Sequence, residues 1–415
     1  MLKLIDQSLL RSQLYIDGKW VSADDGATVS VFNPATKDEV IAAADAGAAE
    51  TRRAIDAAET AFASWRQVVA KERSAILKRW FSLIMENQED LAQLMTAEQG
   101  KPLAESRGEV AYGASFIEWF AEEGRRIYGD TISANNPNQR IVTLKQPVGV
   151  VAAITPWNFP IAMITRKVGP ALAAGCTVVL KPAMETPLCA LALAELGQRA
   201  GIPAGVFNIV TGNNASAIGA EMTSSKIVRK LTFTGSTATG KLLMEQCAGT
   251  VKKTSMELGG NAPFIVFDDA DLDAAVIGAM ASKYRNAGQT CVCANRILVQ
   301  ESVFDAFTEK LITAVKGLKM GNGVQEGVTI GPLINNAAFD KVSAIVNDAT
   351  AKGAKVLIGG KGSEAPGDNF YEPTVLVDVD DTMDVYNEEI FGPIAPLFKF
   401  KTEEDAIRIG NDTPL

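Results

Sequence analysis

The sequence predicts an α/β protein with a doubly wound parallel sheet, followed by a second α/β region. Short β-rich segments recur at 148–154, 176–181, 206–210, 231–234 and 263–267. Helical segments alternate with them at 160–174, 186–200, 214–222 and 237–248, the rhythm of a parallel sheet with helices on both faces. A second α/β block begins near residue 259 and includes the strand-like segment 373–379. Such sheets bind ligands in the loops at the carboxyl ends of their strands.

The segments on either side of this alternation have different patterns. Helical spacing predicts helices over 49–65, 71–99 and 103–124, the second ended by Gly100 and Pro102. Residues 130–146 fall outside the strand–helix rhythm and are interpreted as an extended excursion or a β-ribbon.

Composition limits the class of protein. A net charge of -9 argues against nucleic acid or an anionic membrane surface as the main partner. The N-terminus lacks the apolar run of a signal peptide, and no stretch reaches 18 apolar residues, so a cytoplasmic protein is expected. Five scattered cysteines fit a reduced protein, and no metal site is expected.

The segment 286–293, Asn-Ala-Gly-Gln-Thr-Cys-Val-Cys, places Cys291 in a turn typical of a nucleophile, in a chain with no histidine. Catalysis by a Cys/His pair or a Ser-His-Asp triad is therefore excluded. Any activating base is a carboxylate, a lysine, a water or the field of a cofactor. The alternative for Cys291 is a small, buried and inert side chain.

Four further motifs carry potential chemistry, each with a plainer alternative. Phe-Thr-Gly-Ser-Thr-Ala-Thr-Gly at 233–240 opens a helix after a strand and favours a phosphate group, or is simply a capped helix. The stiff turn 155–160 can aim Asn158 as an oxyanion donor, or is a rigid buried turn. Lys181 can reach a ribose or phosphate, or is a surface lysine. Glu257, before a Gly-Gly turn, can activate water, or is a solvated carboxylate. Cys293 can act as a redox partner of Cys291, although most Cys-x-Cys pairs have no such role.

Taken together in this order, the motifs resemble those of the aldehyde dehydrogenase superfamily. The resemblance covers essentially the whole chain, and Glu-Leu-Gly-Gly (257–260) and Gly-Gln-Thr-Cys (288–291) are its most specific parts. Glu-Gln-Gly-Lys-Pro (98–102), Ile-Thr-Arg-Lys (164–167) and Gly-Gln-Thr-Cys-Val-Cys-Ala-Asn-Arg (288–296) are similar to the bacterial succinate-semialdehyde dehydrogenase group and the related glutarate-semialdehyde enzymes.

The resemblance implies a role for each matching residue. Cys291 is the nucleophile, Asn158 and the Cys291 backbone N–H form the oxyanion hole, and Glu257 activates the hydrolytic water. The implied cofactor-binding residues are Thr155, Pro156, Trp157, Lys181, Met184, Gly235, Ser236, Glu257, Leu258, Glu389 and Phe391. Arg166 and Arg285 are implied to bind a distal carboxylate of the substrate, for which a guanidinium is suited; a structural salt bridge is the alternative for either.

The cofactor is expected to be NADP or NAD. Many NAD-preferring relatives have a glutamate where this chain has Met184, so a 2′-phosphate meets less repulsion here and NADP is favoured. Glu185 is adjacent, which keeps NAD possible.

The resemblance also implies a division into domains. Residues 1–129 and 147–258 are expected to bind NAD(P), 130–146 to form a bridging and oligomerisation ribbon, and 259–415 to form the catalytic domain, with its C-terminal part missing. A family-type homo-oligomer is expected of a full-length chain. Two classes of function follow: an aldehyde-oxidising enzyme acting on succinate semialdehyde in GABA degradation, or on glutarate semialdehyde or another aldehyde, and a catalytically silent cofactor-binding or structural paralogue.

Overall fold

A computed structural model describes residues 2–363 and 367–414, which divide into two compact units. The first unit comprises residues up to Val31, residues 39–95 and residues 106–257. The second comprises residues 32–38, residues 96–105 and residues from Leu258 onward. Two short segments, 32–38 and 96–105, therefore belong to the second unit, whereas the expected NAD(P)-binding domain includes them.

The first unit contains the alternating region and the N-terminal helices. Its strands are β1 Leu14–Ile16, β2 Lys19–Val21, β3 Thr28–Phe32, β4 Glu39–Ala44, β5 Thr131–Ile132, β6 Ile141–Val142, β7 Val150–Ile154, β8 Thr177–Lys181, β9 Phe207–Ile209, β10 Val228–Thr234 and β11 Lys253–Glu257. Its helices are α1 Ala48–Trp65, α2 Ala70–Glu86, α3 Gln88–Gln99, α4 Leu103–Glu123, α5 Ala162–Ala173, α6 Leu188–Ala200, α7 Ala215–Ser224 and α8 Thr237–Ala248. The boundary between the units falls within β3, α3 and α4.

The main sheet of this unit has the strand order β11-β10-β7-β8-β9-β1-β2. The five strands from β11 to β9 run parallel, whereas β1 is antiparallel to both of its neighbours. Strand β8 is buried at every position, as expected when helices cover both faces of a parallel sheet. The predicted doubly wound fold is confirmed.

The segment 130–146 forms a β-ribbon, in which β5 and β6 pair antiparallel with Thr131 opposite Val142. This confirms one of the two interpretations of that segment. Strands β3 and β4 form a further two-stranded sheet.

The second unit is a smaller α/β layer structure. Its strands are β12 Pro263–Val266, β13 Arg296–Gln300, β14 Lys355–Ile358, β15 Thr374–Val377 and β16 Ile394–Phe400, in the order β12-β13-β16-β15-β14. Its helices are α9 Leu272–Lys283, α10 Phe304–Lys316, α11 Asn336–Ala351, α12 Asp384–Asn387 and α13 Glu403–Asn411. Separate apolar clusters contain Phe307 and Leu311 of α10 and Val342 and Ile345 of α11.

Two expectations about local structure were wrong or incomplete. The single helix expected over 71–99 is two helices, because Asn87 leaves helical geometry (φ −104°, ψ 21°) and its side-chain amide donates to the Leu83 carbonyl. Strand β11 was not predicted, because its sequence Lys-Thr-Ser-Met-Glu lacks an apolar run. Its pairing with β10 at the sheet edge establishes it as a strand.

None of the helices in the described ranges is long and apolar enough to cross a membrane.

Candidate active site

In the first unit, the motifs singled out in the sequence lie at the carboxyl ends of neighbouring parallel strands. The turn 155–160 follows β7, Lys181 ends β8, Ser236 follows β10 and Glu257 ends β11. The Thr155 N–H donates to the Lys181 carbonyl (3.1 Å), and the Gly235 N–H donates to the Glu257 carbonyl (3.1 Å). Four separate stretches of sequence therefore meet along one edge of the sheet, where ligands of such folds bind.

The loop that carries Asn158 is held by a buried carboxylate. Asn158 is 3% exposed. Three residues later, the Ile161 N–H donates to Glu109 Oε1 (2.9 Å), and the Ala162 N–H donates to the same oxygen (3.2 Å). Glu109 thus satisfies two backbone donors at the start of α5 that have no partner within the helix. Sequence reasoning missed Glu109, since nothing local distinguishes it from the other acidic residues of α4.

The turn after β10 suits a phosphate group. The Ser236 hydroxyl caps α8 by accepting from the Thr239 N–H (3.3 Å). The helix dipole and the unpaired N–H groups of the first turn favour an anion at this position. Next to this turn, the buried Thr155 and Thr234 hydroxyls have no hydrogen-bond partner among the described residues.

Lys181 lies on the next strand, 7% exposed, and its Nζ donates to the Pro182 carbonyl (3.3 Å). Burial lowers the pKa of its amine, while Glu185 and Asp45 act in the opposite direction. Met184 is half-buried and Glu185 is exposed. The chemistry of this edge therefore fits a dinucleotide cofactor. The start of α8 at Ser236 offers a site for a phosphate, and the Lys181 amine lies at the end of β8, on the same edge of the sheet.

A cavity of about 450 Å³ in the first unit is lined by charged side chains that include Arg166, Lys167, Lys230 and Glu257. The Lys167 Nζ donates to the Thr232 hydroxyl (3.2 Å). Burial lowers the pKa of Lys167 to about 8; the positive charge of Arg166 adds to this shift, and the negative charge of Glu257 opposes it. The fold thus brings two predicted residues to one cavity: Arg166, expected to bind the substrate's carboxylate, and Glu257, expected to act as the base.

In the second unit, the segment that carries Cys291 has an unusual backbone. A 3-10 turn spans Arg285–Gly288, and three successive residues have positive φ: Asn286 (51°), Ala287 (54°) and Gly288 (74°). A Cβ on Gly288 would lie 2.1 Å from the Gly392 carbonyl oxygen, so only glycine fits. This contact places the segment directly against the backbone next to Phe391.

Buried side-chain amides hold that strained backbone in place. The Asn286 amide oxygen accepts from Gln99 Nε2 (3.0 Å), and the Asn286 backbone N–H donates to Glu105 Oε2 (2.8 Å). Gln289 Nε2 donates to the Asn286 carbonyl (3.0 Å), and its Oε1 accepts from the Ile334 N–H (3.0 Å). Gln99 belongs to the Glu-Gln-Gly-Lys-Pro motif, whose pattern in the sequence does not predict this role.

Cys291 is half-buried and Arg285 is exposed. Cys293 is 6% exposed, with Sγ 3.6 Å from the Lys283 carbonyl oxygen. All five cysteines are thiols rather than disulfides.

The Asn295 amide binds the residues on either side of Glu389 and the turn that follows the Glu-Leu-Gly-Gly motif. Asn295 Nδ2 donates to Asn261 Oδ1 (2.7 Å) and to the Glu388 carbonyl (2.7 Å), and Asn295 Oδ1 accepts from the Ile390 N–H (2.9 Å). Sequence reasoning also missed this residue, four positions after Cys291. It ties the turn after the Glu-Leu-Gly-Gly motif to the segment that carries Glu389.

The Glu389 carboxyl group is partly buried and lies among charged residues. Burial raises the pKa of its carboxyl group, and the Gly260 N–H and the charges of Lys341 and Lys283 oppose that shift. Its Oε1 has no hydrogen-bond partner among the described residues. Phe391, two residues on, has φ 55°.

The predicted residues are thus divided between the units. Asn158, Arg166, Lys181, Ser236 and Glu257 belong to the first, with the 155–157 turn, Met184 and Gly235. Leu258, which directly follows β11, belongs to the second with Arg285, Cys291, Cys293, Glu389 and Phe391. No cluster of three or more metal-binding side chains occurs in the described part of the chain.

Comparison with known proteins identifies the family. The aldehyde dehydrogenase family matches residues 20–415. A glutarate-semialdehyde dehydrogenase of Pseudomonas putida is 63% identical over 99% of this chain and 85% of its own length. The succinate-semialdehyde dehydrogenase [NADP(+)] GabD of Escherichia coli is 62% identical, with the same coverage of both chains.

The fold comparison agrees. A solved structure described as an NADP dependent enzyme of E. coli superposes with a TM-score of 0.98 at 62% identity, over 99% of this chain and 85% of that one. These matches confirm the resemblance found in the motifs: the chain belongs to the aldehyde dehydrogenase family.

Proposed function

We propose that the protein oxidises succinate semialdehyde to succinate, with glutarate semialdehyde as the second candidate substrate. The observation that carries this proposal is the cavity of about 450 Å³ lined by both Arg166 and Glu257. Among the described residues, Arg166 forms no salt bridge, so its guanidinium can pair with a ligand carboxylate. The names of the relatives at 63% and 62% identity support the same two substrates.

The proposed reaction proceeds on Cys291. Its thiolate adds to the aldehyde carbon, and the resulting thiohemiacetal oxygen accepts hydrogen bonds from the Asn158 amide and the Cys291 backbone N–H. Bound NAD(P)+ would supply the hydride acceptor, and loss of hydride from this carbon would leave a thioester on Cys291. Glu257 takes a proton from water, the hydroxide oxygen bonds to the thioester carbon, and cleavage of the C–S bond releases the carboxylic acid and restores the thiolate.

The cofactor would be held mainly by the strand ends of the first unit. Lys181 and Ser236 would contact its ribose and phosphates, with Thr155, Pro156, Trp157, Met184, Gly235, Glu257 and Leu258 around them. Glu389 would accept from the nicotinamide ribose, which its unpaired Oε1 supports, and Phe391 would pack by the ring. NADP+ is favoured, because Met184 offers no carboxylate to repel a 2′-phosphate and Glu185 is exposed.

The substrate's distal carboxylate would be bound by Arg166, with Arg285 as its partner. Both are arginines, whose planar fork pairs with a carboxylate through two parallel hydrogen bonds.

The decisive experiment is an absorbance assay of NAD(P)H formation from succinate semialdehyde. Cys291→Ala should abolish turnover, whereas the wild type should be active and should show a higher kcat/KM with NADP+ than with NAD+. The same assay with glutarate semialdehyde ranks the two substrates. Absence of turnover by folded wild-type protein would favour the silent cofactor-binding alternative. A large NAD+ preference would refute the cofactor assignment alone.

We propose that the first unit is the NAD(P)-binding domain and the second the catalytic domain, and that the 130–146 ribbon contributes to a homo-oligomer. We also propose a cytoplasmic location. We further propose that oxidation by peroxide, which is reduced to water, joins Cys293 and Cys291 in a reversible disulfide that switches the enzyme off.

A further inference from the structure

The guanidinium of Arg166 rests on an aromatic ring. Its central carbon lies 5.6 Å from the centroid of the Phe116 ring, in the range of a cation–π contact. Its Nη1 lies 3.6 Å from the Met163 sulfur, a weak acceptor that a carboxylate oxygen can replace at little cost. Arg166 is therefore held by one face of its planar group while most of its N–H donors stay available.

Phe116 is itself fixed in position. The Tyr112 ring, one helical turn earlier on α4, meets it edge to face at a centroid distance of 4.9 Å and an interplanar angle of 64°. Phe116 also packs against a small buried cluster of Phe159, Ala162 and Met163. Its ring thus has contacts on more than one side, so it can act as a rigid support.

The helices that carry the two side chains are locked together near this point. Glu109 of α4 accepts from two N–H groups at the start of α5. Gly113, one turn on, lets the backbones approach, because a Cβ there would lie 2.6 Å from Ile161 Cγ2 and 3.3 Å from Ala162 Cα. Glu109, Gly113 and Phe116 follow the i, i+4, i+7 spacing of one helix face. The same face of α4 therefore anchors α5 and supports the arginine that α5 presents.

We propose that Phe116 is a positioning residue that determines specificity, because it orients Arg166 for the substrate's distal carboxylate. This rests on the function proposed above. An arginine side chain without such a support loses rotamer entropy when it binds a ligand, and a ring that holds it in advance removes part of that cost. The effect concerns substrates with a distal carboxylate and not neutral aldehydes of the same chain length.

The test compares kcat/KM for succinate semialdehyde with that for butanal, a neutral aldehyde with the same number of carbons. Phe116→Leu should lower the ratio roughly 3- to 30-fold, the range expected for loss of a cation–π contact. Phe116→Tyr keeps the ring and should retain the ratio. Phe120→Leu, the same change one turn along α4, is the matched control and should leave the ratio unchanged.

A double-mutant cycle separates positioning from packing. In an Arg166→Met background, Phe116→Leu should not change the ratio further, because the group it orients is gone. An equal loss for both aldehydes in Phe116→Leu, or an unchanged ratio, would overturn the proposal.

Calorimetric binding of succinate gives a readout without turnover. Phe116→Leu should weaken succinate binding, and Phe116→Tyr should preserve it. An inactive wild type with this pattern would refute the proposed reaction but support the role of Phe116. An active wild type whose succinate affinity does not depend on residue 116 would support the proposed reaction and refute the role of Phe116.

Discussion

Because the Lys167 amine is buried, we predict that the free energy of unfolding depends on pH in a quantifiable way. Its side chain lies on α5, 7% exposed, with the Thr232 hydroxyl as acceptor at 3.2 Å. Burial is the main cause that lowers its pKa from the usual 10.5 to about 8. The folded protein therefore releases this proton at a lower pH than the unfolded chain.

The direction of the effect follows from proton linkage. Between about pH 8 and pH 10.5 the unfolded chain binds more protons at Lys167 than the folded protein does, so the free energy of unfolding rises with pH. The gap between the two pKa values corresponds to about 3 kcal/mol, absent below pH 8 and fully gained above pH 10.5.

Lys167→Met removes this titration and keeps the length of the side chain. Urea unfolding should be followed by tryptophan fluorescence, since all five tryptophans (20, 65, 80, 119 and 157) belong to the first unit, as Lys167 does. At pH 7 the variant should be the more stable protein, and its advantage should fall by about 3 kcal/mol on going to pH 10.5. The exposed Lys241→Met serves as control. Parallel pH profiles for wild type and Lys167→Met would refute the reasoning.

Two further predictions concern the segment around Cys291. Gly288→Ala should destabilise the protein by more than ~2 kcal/mol and abolish activity, because its Cβ would lie 2.1 Å from the Gly392 oxygen at a φ of 74°. Gly353→Ala (φ 109°, no atom within 4 Å of its Cβ) should show only the smaller backbone cost, and equal thermal shifts for both would contradict this account. Cys293→Ala should remain active but lose the dithiothreitol-reversible part of peroxide inactivation. If inactivation and its reversal are unchanged, the proposed redox switch is ruled out.

The sequence predicted much of this fold because its signals are local. An apolar run such as Val150–Ile154, followed by a Pro-containing turn and a helical segment, reads as strand–turn–helix without knowledge of any other part of the chain. The motif order from Asn158 to Cys291 similarly indicates the family, and the comparisons confirm it. Strand β11 was not predicted, because an edge strand whose residues alternate in exposure has no apolar run in its sequence.

Other features could be found only in the tertiary structure. Glu109 reads as one acidic residue among several on α4, and its importance comes from two N–H groups 52 and 53 positions away. Gln99 is 187 positions from Asn286, which it holds in a left-handed conformation. Arg166 lies in the Ile-Thr-Arg-Lys motif, but its contact with Phe116 depends on how α4 and α5 pack. Taken by itself, the sequence determined the family and predicted which side chains carry the chemistry, because residue type and local spacing encode both. The tertiary structure decided what holds those side chains in place, because that depends on contacts between residues far apart in the chain.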